Sequence, residues 1–375
     1  MPKDIQNLIE LASKGLVAMF DESRQLFCDR LVRRGSALHR EGLSPRYTIM
    51  TLLGLRELER NGGPSPFDSA MLYRAFMSDL GWIRSAGDLG LVLWLTSAFA
   101  ADEMDGLLRQ QELATALERY PDAREGRTME LAWFLSGLAH ATQAAPRLAG
   151  PLTDLAVETY HRLEENQGEH GFFGHLTTGS SMSGRLRGRI GSFADQIYPI
   201  YAMAKFAVAF HVEDPLLPAK ECAKAICSAQ GELGQWWWLY DSRHGRVSSR
   251  YPVYSVHQHG MAPMGLFAIE EATGKSFRSA IYKGLNWIYG PNELGVEMRD
   301  SKENLIWRCI RPKSKRTKYL DTAFSLLGAA DTKAPIGELE ILYEDRPYEL
   351  GWLLFAFAKH SKTSVESCTA TAQRQ

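Results

Sequence analysis

Six stretches of this chain share one pattern of hydrophobic and polar positions. They are RYTIMTLLGLREL from Arg46, DLGLVLWLTSAFA from Asp88, MELAWFLSGLAHA from Met129, ADQIYPIYAMAKFAVAF from Ala194, VHQHGMAPMGLFAIEEATG from Val256 and RPYELGWLLFAFAKH from Arg346. Each opens on polar or charged residues and continues as a helix that is apolar nearly all round. Such a helix is buried on every face. Before each lies a segment with one apolar stripe at helical period and one wet side: 23–40, 66–81, 103–119, 152–165, 215–229 and 277–289. Breakers such as Asn61-Gly62-Gly63-Pro64 and Glu213-Asp214-Pro215 fall between them.

Six amphipathic helices alternating with six buried ones predict an all-α fold, an (α/α)6 toroid, with the buried helices as the inner ring. Every inner helix is entered from the same direction, so their polar starts converge at one end of the barrel. That end is where a pocket is expected. Three connections are long: 167–192, 231–255 and 290–345. Within the last, 295–311 alternates apolar and polar residues around Ser301-Lys302-Glu303-Asn304 and predicts a β-hairpin. An extra helix is expected over 319–330. One domain over 1–360 is expected, with 290–345 as an insertion and 361–375 as a disordered tail.

Composition narrows the partners. Lys+Arg is 43 against Asp+Glu 44, which gives no reason to expect nucleic acid or an anionic membrane. The basic run 311–318 reads as a solvated loop. The five cysteines have no C-x-x-C spacing, which argues against a disulfide framework or a cysteine zinc site and fits a reducing compartment. The N-terminal residues carry Asp4 and Glu10 and predict a helix rather than a signal peptide. No apolar run reaches the length of a membrane span. A cytoplasmic protein is the expectation, and the sequence leaves its oligomeric state open.

The inner starts bring together Arg46, Tyr47, Asp88, Glu130, Trp133, Asp195, Tyr198, His257, His259, Arg346, Tyr348 and Glu349. The loop 234–255 adds Trp238, Tyr240, Asp241, Arg243, His244 and Tyr254. Carboxylates, Arg and His suit sugar hydroxyls, and Trp or Tyr faces suit the CH surface of a sugar. Asp195, Tyr198, Tyr254, His257, His259 and Glu349 are the candidate proton carriers. A Tyr at position 198 or 254 protonates or deprotonates a sugar carbon if a neighbouring Arg lowers its pKa. Two carboxylates on facing helices would flank a glycosidic bond. The remaining residues are candidates for binding the substrate, with Arg46 or Arg243 clamping a uronate carboxylate. Each also has a plainer reading. An acid at a helix start caps it, and a Trp run packs a core. His257 and His259 lack a third ligand, so no metal is expected, and no organic cofactor. The segment 179–191, with Arg185, Arg187 and Arg189, reads as a lid.

Two phrases carry a family resemblance. Gln230-Gly231-Glu232-Leu233-Gly234-Gln235-Trp236 and Gln167-Gly168-Glu169-His170-Gly171-Phe172-Phe173 resemble the QW repeat of the terpenoid cyclase and protein prenyltransferase toroids. The resemblance implies the toroid and says little of function. The D-x-D-D acid run of those cyclases is absent, and no inner start supplies the cysteine of a prenyltransferase zinc site. Tyr240-Asp241-Ser242-Arg243-His244, followed by Tyr254, His257 and His259, is similar to the Y-D-x-R-H and later Y-H-x-x-H pattern of glucuronyl C5-epimerases. That resemblance implies a uronate epimerase, and toroids of the same architecture also include polysaccharide lyases and glycoside hydrolases. A carbohydrate-active enzyme of one of these types is expected, acting on a small-molecule or oligosaccharide substrate that can be anionic. A terpenoid cyclase using an unusual acid and a non-catalytic glycan-binding toroid are the alternatives.

Overall fold

A computed structural model describes residues 2–109, 127–176, 188–313 and 338–360. Its helices in chain order are α1 (Pro2–Met19), α2 (Pro45–Arg60), α3 (Ser69–Met77), α4 (Ala86–Phe99), α5 (Met104–Arg109), α6 (Thr128–Ala144), α7 (Ala149–Glu164), α8 (Ala194–Phe210), α9 (Leu216–Ser228), α10 (Ala262–Thr273), α11 (Arg278–Asn286) and α12 (Pro347–Phe357). The even-numbered helices are the six expected inner ones. Each packs on the next, and α12 packs back on α2, which closes the ring. The (α/α)6 toroid with a hairpin before its last inner helix is therefore the fold.

The inner starts are made by local chemistry. Ser44 caps α2 by accepting from the Tyr47 N–H (3.2 Å), with Pro45 in the first turn where no N–H is needed. Ser85 and Asp88 form a reciprocal capping box on α4. The inner ring is tight where glycines meet: a Cβ on Gly137 would lie 2.2 Å from the Gly90 carbonyl oxygen. Both glycines let α4 and α6 approach backbone to backbone.

The two QW-like turns do the same job in two places. Gln167 Nε2 donates to the carbonyls of Gly171 and of Pro218 in α9 (2.9 Å each). Gln230 Nε2 donates to Gly234 and to Ala280 in α11 (3.0 Å each). Each ties the end of one outer helix to the next outer helix. The turn needs glycine at its fifth position, where φ is +84° at Gly171 and +96° at Gly234.

One expected helix is not there. Residues 23–40 fold as strands, with β1 (Phe20–Asp21) against β2 (Leu26–Phe27), and β3 (Arg30–Arg34) against β4 (Ala37–Glu41). The first outer helix is instead α1. Leu26, Phe27, Leu31 and Leu38 mimic a helical stripe, yet Gly35 sits at φ +61° and makes the hairpin turn. The expected hairpin of the insertion is present as β9 (Arg299–Asp300) and β10 (Leu305–Ile306). The helix expected over 319–330, the tail 361–375, the segment 110–119 and the lid residues up to 187 lie outside the described residues.

The remaining strands are β5 (Ile190–Ser192), β6 (Leu239–Asp241), β7 (Arg246–Ser249), β8 (Val253–Tyr254), β11 (Cys309–Pro312), β12 (Leu339–Leu342) and β13 (Glu344–Asp345). They form three sheets, β5-β6-β7, β12-β11-β8 and β13-β3-β4. All lie in connections from an outer helix into an inner one. They crown the end where the inner helices begin. Among the described residues no helix is long and apolar enough to cross a membrane.

Candidate active site

A cavity of about 490 Å³ opens at that crowned end. Its wall draws on the starts of α2, α6, α8 and α12 and on the turn of π-helix His257–Met261 that leads into α10. A π-turn adds a residue to the helix and re-aims the side chains around it. Here it points His257 at the cavity. The sheets supply the rest: β11 pairs with β8, Cys309 opposite Tyr254, so Arg308 and Tyr254 are held side by side.

The structure brings eight of the candidate residues to the wall: Arg46, Tyr47, Trp133, Tyr198, Trp238, Tyr254, His257 and Tyr348. Their contacts are specific. Arg46 Nε bonds Asp88 (2.5 Å), and its guanidinium carbon lies 5.7 Å from the Trp133 ring centroid. The rings of Tyr47 and Tyr348 stand 4.5 Å apart. Tyr254 lies 5.0 Å from Trp238 and 5.2 Å from His257. The Tyr198 hydroxyl accepts from Trp352 Nε1 (3.0 Å), at the floor.

Five candidates stand behind the wall. Asp88 completes the α4 cap and holds Arg46. Asp195 accepts from the Ser192 N–H and hydroxyl (2.8 Å each) and faces His175 Nδ1 (3.1 Å). The Asp195 carboxylate raises the His175 pKa. Glu349 is fully buried and paired with Arg308. Arg346 binds Glu344 (2.7 Å) and donates to the Tyr47 hydroxyl (2.8 Å). Glu130 lies in the first turn of α6, where its charge acts on both Arg46 and His175.

Five candidates are placed elsewhere. Tyr240 is fully buried, 5.1 Å from Phe172, and its hydroxyl accepts from the Trp237 N–H (3.1 Å). Asp241 accepts from the Arg243 N–H (3.0 Å) and from His244 Nδ1 (2.8 Å), which closes the β6–β7 turn. This is an Asx-type turn, and it leaves the Arg243 and His244 side chains exposed on the crown rather than in the wall. His259 is fully buried, and neither ring nitrogen has a partner among the described residues.

Electrostatics separates the proton carriers. Burial pulls His257 down to about 3, with the Arg308 charge acting the same way, so its ring is neutral. Burial pushes the Tyr254 phenol up to about 12, and this outweighs the lowering by Arg308. Tyr254 therefore keeps its proton at neutral pH, which suits it to deliver a proton rather than to take one. Burial also holds Tyr198 well above the ordinary phenol. Glu349 is pushed up to about 7, burial outweighing Arg308 and Arg346.

The sequence reading missed four polar wall residues, Asp29, Ser44, Ser192 and Arg308. Asp29 fell in the segment read as helix. Arg308 had a signal, a lone cation in the apolar run Leu305 to Ile310. Among the described residues no three His, Cys, Asp or Glu side chains are grouped as metal ligands.

The class of protein that fold and cavity define is a six-hairpin helical toroid with a polar-aromatic cavity at the inner-helix starts. No protein-family model and no curated protein matches the chain. Solved structures do. The chain is similar to a sugar epimerase from a ruminal bacterium, at 11% identity and TM-score 0.64, over 96% of this chain and 99% of that one. It is similar to a possible member of the GH105 family from Klebsiella pneumoniae, at 11% identity and TM-score 0.63, over 96% and 94%. It is also similar to an unsaturated glucuronyl hydrolase from Bacillus sp. GL1, at 14% identity and TM-score 0.61, over 97% of each. At these identities the likeness is one of fold.

Proposed function

We propose that this toroid is an enzyme acting on a carboxylate-bearing sugar, a uronate residue or short uronate-containing glycan, by proton transfer at the carbon next to the carboxylate. The observation that carries the reading is the pairing of two guanidinium groups, Arg46 and Arg308, with aromatic faces and the neutral His257 in one cavity. The fold neighbours named as a sugar epimerase and an unsaturated glucuronyl hydrolase support the substrate class.

In this reading Arg308 and Arg46 take the uronate carboxylate, and Trp133 and Trp238 face the CH surface of the ring. His257 takes the proton from the carbon beside the carboxylate. The electron pair left on that carbon spreads onto the carboxylate oxygens, where Arg308 stabilises it. Substrate binding helps the base, since a carboxylate on Arg308 offsets the positive field that lowers His257. Tyr254 carries its proton at neutral pH and supplies it either to the carbon or to a leaving oxygen. Hydrolysis by a carboxylate pair is less well supported. Asp29 is the one carboxylate of the wall among the described residues, and Asp88, Asp195 and Glu349 are all held by neighbours.

The test is incubation with uronate oligosaccharides in D2O, followed by NMR. Solvent deuterium at the carbon beside the carboxylate, or an unsaturated uronate product, is expected. Release of intact sugars without exchange would overturn proton abstraction in favour of hydrolysis. One observation favours an isoprenoid reading: Asp88 and Asp195 cap helices, as such a site allows. Against it, Arg46 and Arg308 in the wall would repel a carbocation. Isoprenyl diphosphates in the same screen decide between the two.

A further inference from the structure

The barrel has a second mouth. Where the inner helices end, a separate cavity of about 310 Å³ is lined by residues of all six of them and by Lys359 just beyond α12. Trp94, His140 and Tyr201 form its floor. The Trp94 ring is stacked 4.8 Å from both of the others, and His140 Nε2 lies 2.8 Å from the Tyr201 hydroxyl. The three rings stack face to face on one another, and burial keeps the His140 ring neutral, so this end of the cavity is aromatic and uncharged. The two cavities are separated by an aromatic plug. Trp94 stacks on Trp352 (5.6 Å), which donates to Tyr198 on the floor of the first.

The rim carries three cations, Arg60, Lys205 and Lys359, against two carboxylates, Glu57 and Glu271. Cations at helix C-termini ordinarily answer the exposed carbonyls. Arg60 does so: it donates to the Ala98 carbonyl (2.6 Å) and pairs with Glu57 (3.3 Å). The two lysines do not. Lys205 Nζ lies 3.4 Å from Glu271, and Lys359 pairs with the same carboxylate. Two ammonium groups thus share one counter-charge at the edge of an aromatic floor. The Lys205 side chain is 21% exposed, so its charge is poorly screened by water.

We infer that this far mouth is a second ligand site, for a small organic monocarboxylate with an apolar body. The carboxylate sits between Lys205 and Lys359 and supplies the missing counter-charge. The apolar body of the molecule packs against the aromatic lining, the Trp94–His140–Tyr201 stack with Phe355 beside it. An aryl acid and a pyranose acid share this chemistry, and the binding test separates them.

The test uses the full chain, with benzoate and glucuronate as probes and benzyl alcohol as the uncharged control. Calorimetry and saturation-transfer NMR read the binding. At least one acid is expected to bind, with benzyl alcohol about tenfold weaker or worse, since it lacks the charge-assisted bonds. Lys205→Met and Lys359→Met are each expected to weaken that acid by about tenfold. Arg308→Met, at the other mouth, leaves this lysine-dependent binding in place. If Lys205→Met does not fold, Lys359→Met carries the test, because its side chain is 37% exposed. The inference is overturned if neither acid binds, if benzyl alcohol binds as well as the acids, or if binding ignores the lysine variants.

Discussion

Arg308 reaches from the edge of β11 to Glu349 in the first turn of α12, and the two form an ion pair behind the cavity wall. The same guanidinium lies 5.0 Å from the Tyr254 ring centroid and also faces Glu344 (3.5 Å). One side chain therefore links the insertion, the last inner helix and the proposed acid. Burial works against its charge, but the Glu349 and Glu344 carboxylates outweigh it, so it stays charged.

Glu349 makes the pair sensitive to pH. Burial holds its carboxyl up to about 7, above its value in an unfolded chain. A group with a raised folded pKa contributes stability that is fully present below its unfolded pKa and lost as pH rises through the folded one. The window here runs from about pH 4.5 to about pH 7. Asp345, also held high by burial, adds in the same direction. Glu349→Gln removes the Glu349 part. The variant should gain on the wild type across that window by on the order of 3 kcal/mol. Urea unfolding at several pH values measures it, and parallel curves for the two proteins would refute it.

His259 predicts the opposite limb. Its ring is buried, held down to about 3 by that burial, and its nitrogens have no partner among the described residues. A depressed histidine contributes stability present above pH 6.5 and lost as pH falls toward 3. His259→Leu should therefore lower the pH of acid unfolding. At pH 8 it should be neutral or stabilising by about 1 kcal/mol, because an unpaired buried polar group is removed. Circular dichroism along an acid titration reads both. A large loss of stability at pH 8 would mean that His259 has a partner that matters.

Gln230 and Gln167 give a prediction about the ring itself. Gln230→Ala loses two hydrogen bonds that bridge α9 to α11 and should cost about 1–3 kcal/mol. Gln230→Glu keeps the shape but sets a carboxylate against the Gly234 and Ala280 carbonyls, so it should cost more. Thermal unfolding ranks the two, and the same order should hold at Gln167.

The fold was legible because its signal repeats. Six all-round apolar helices with polar starts can hardly bury themselves otherwise, and α4 and α8 match their expected stretches almost to the residue. The crown was harder to read. Leu26, Phe27, Leu31 and Leu38 fit a helical stripe as well as a hairpin, and the turn at Gly35 decides between them only once φ is known. The site was legible where it follows from connectivity, as for Arg46, Tyr198 and His257. It was not where a loop folds back on itself. Asp241 satisfies the backbone of its own turn, so a dense polar motif became a structural one. Arg308 comes from a strand whose pairing with β8 is a long-range contact, which no local spacing announces.

Tyr254 and His257 should separate by what each variant loses. In the proposed reaction His257 takes the proton and Tyr254 delivers one, so their removal blocks different halves. His257→Gln should abolish deuterium exchange at the carbon beside the carboxylate, a loss of about 10²–10⁴-fold in kcat. Tyr254→Phe keeps the ring against Trp238 and removes only the hydroxyl. It should preserve exchange while lowering net turnover by about 10²-fold, with KM little changed. Arg308→Lys keeps the charge but loses the planar fork, and it should raise KM for a uronate more than for its neutral hexose analogue. Equal loss of exchange in both the Tyr254 and His257 variants would merge their roles into one and return the choice of base to the remaining wall residues, with Asp29 first among them.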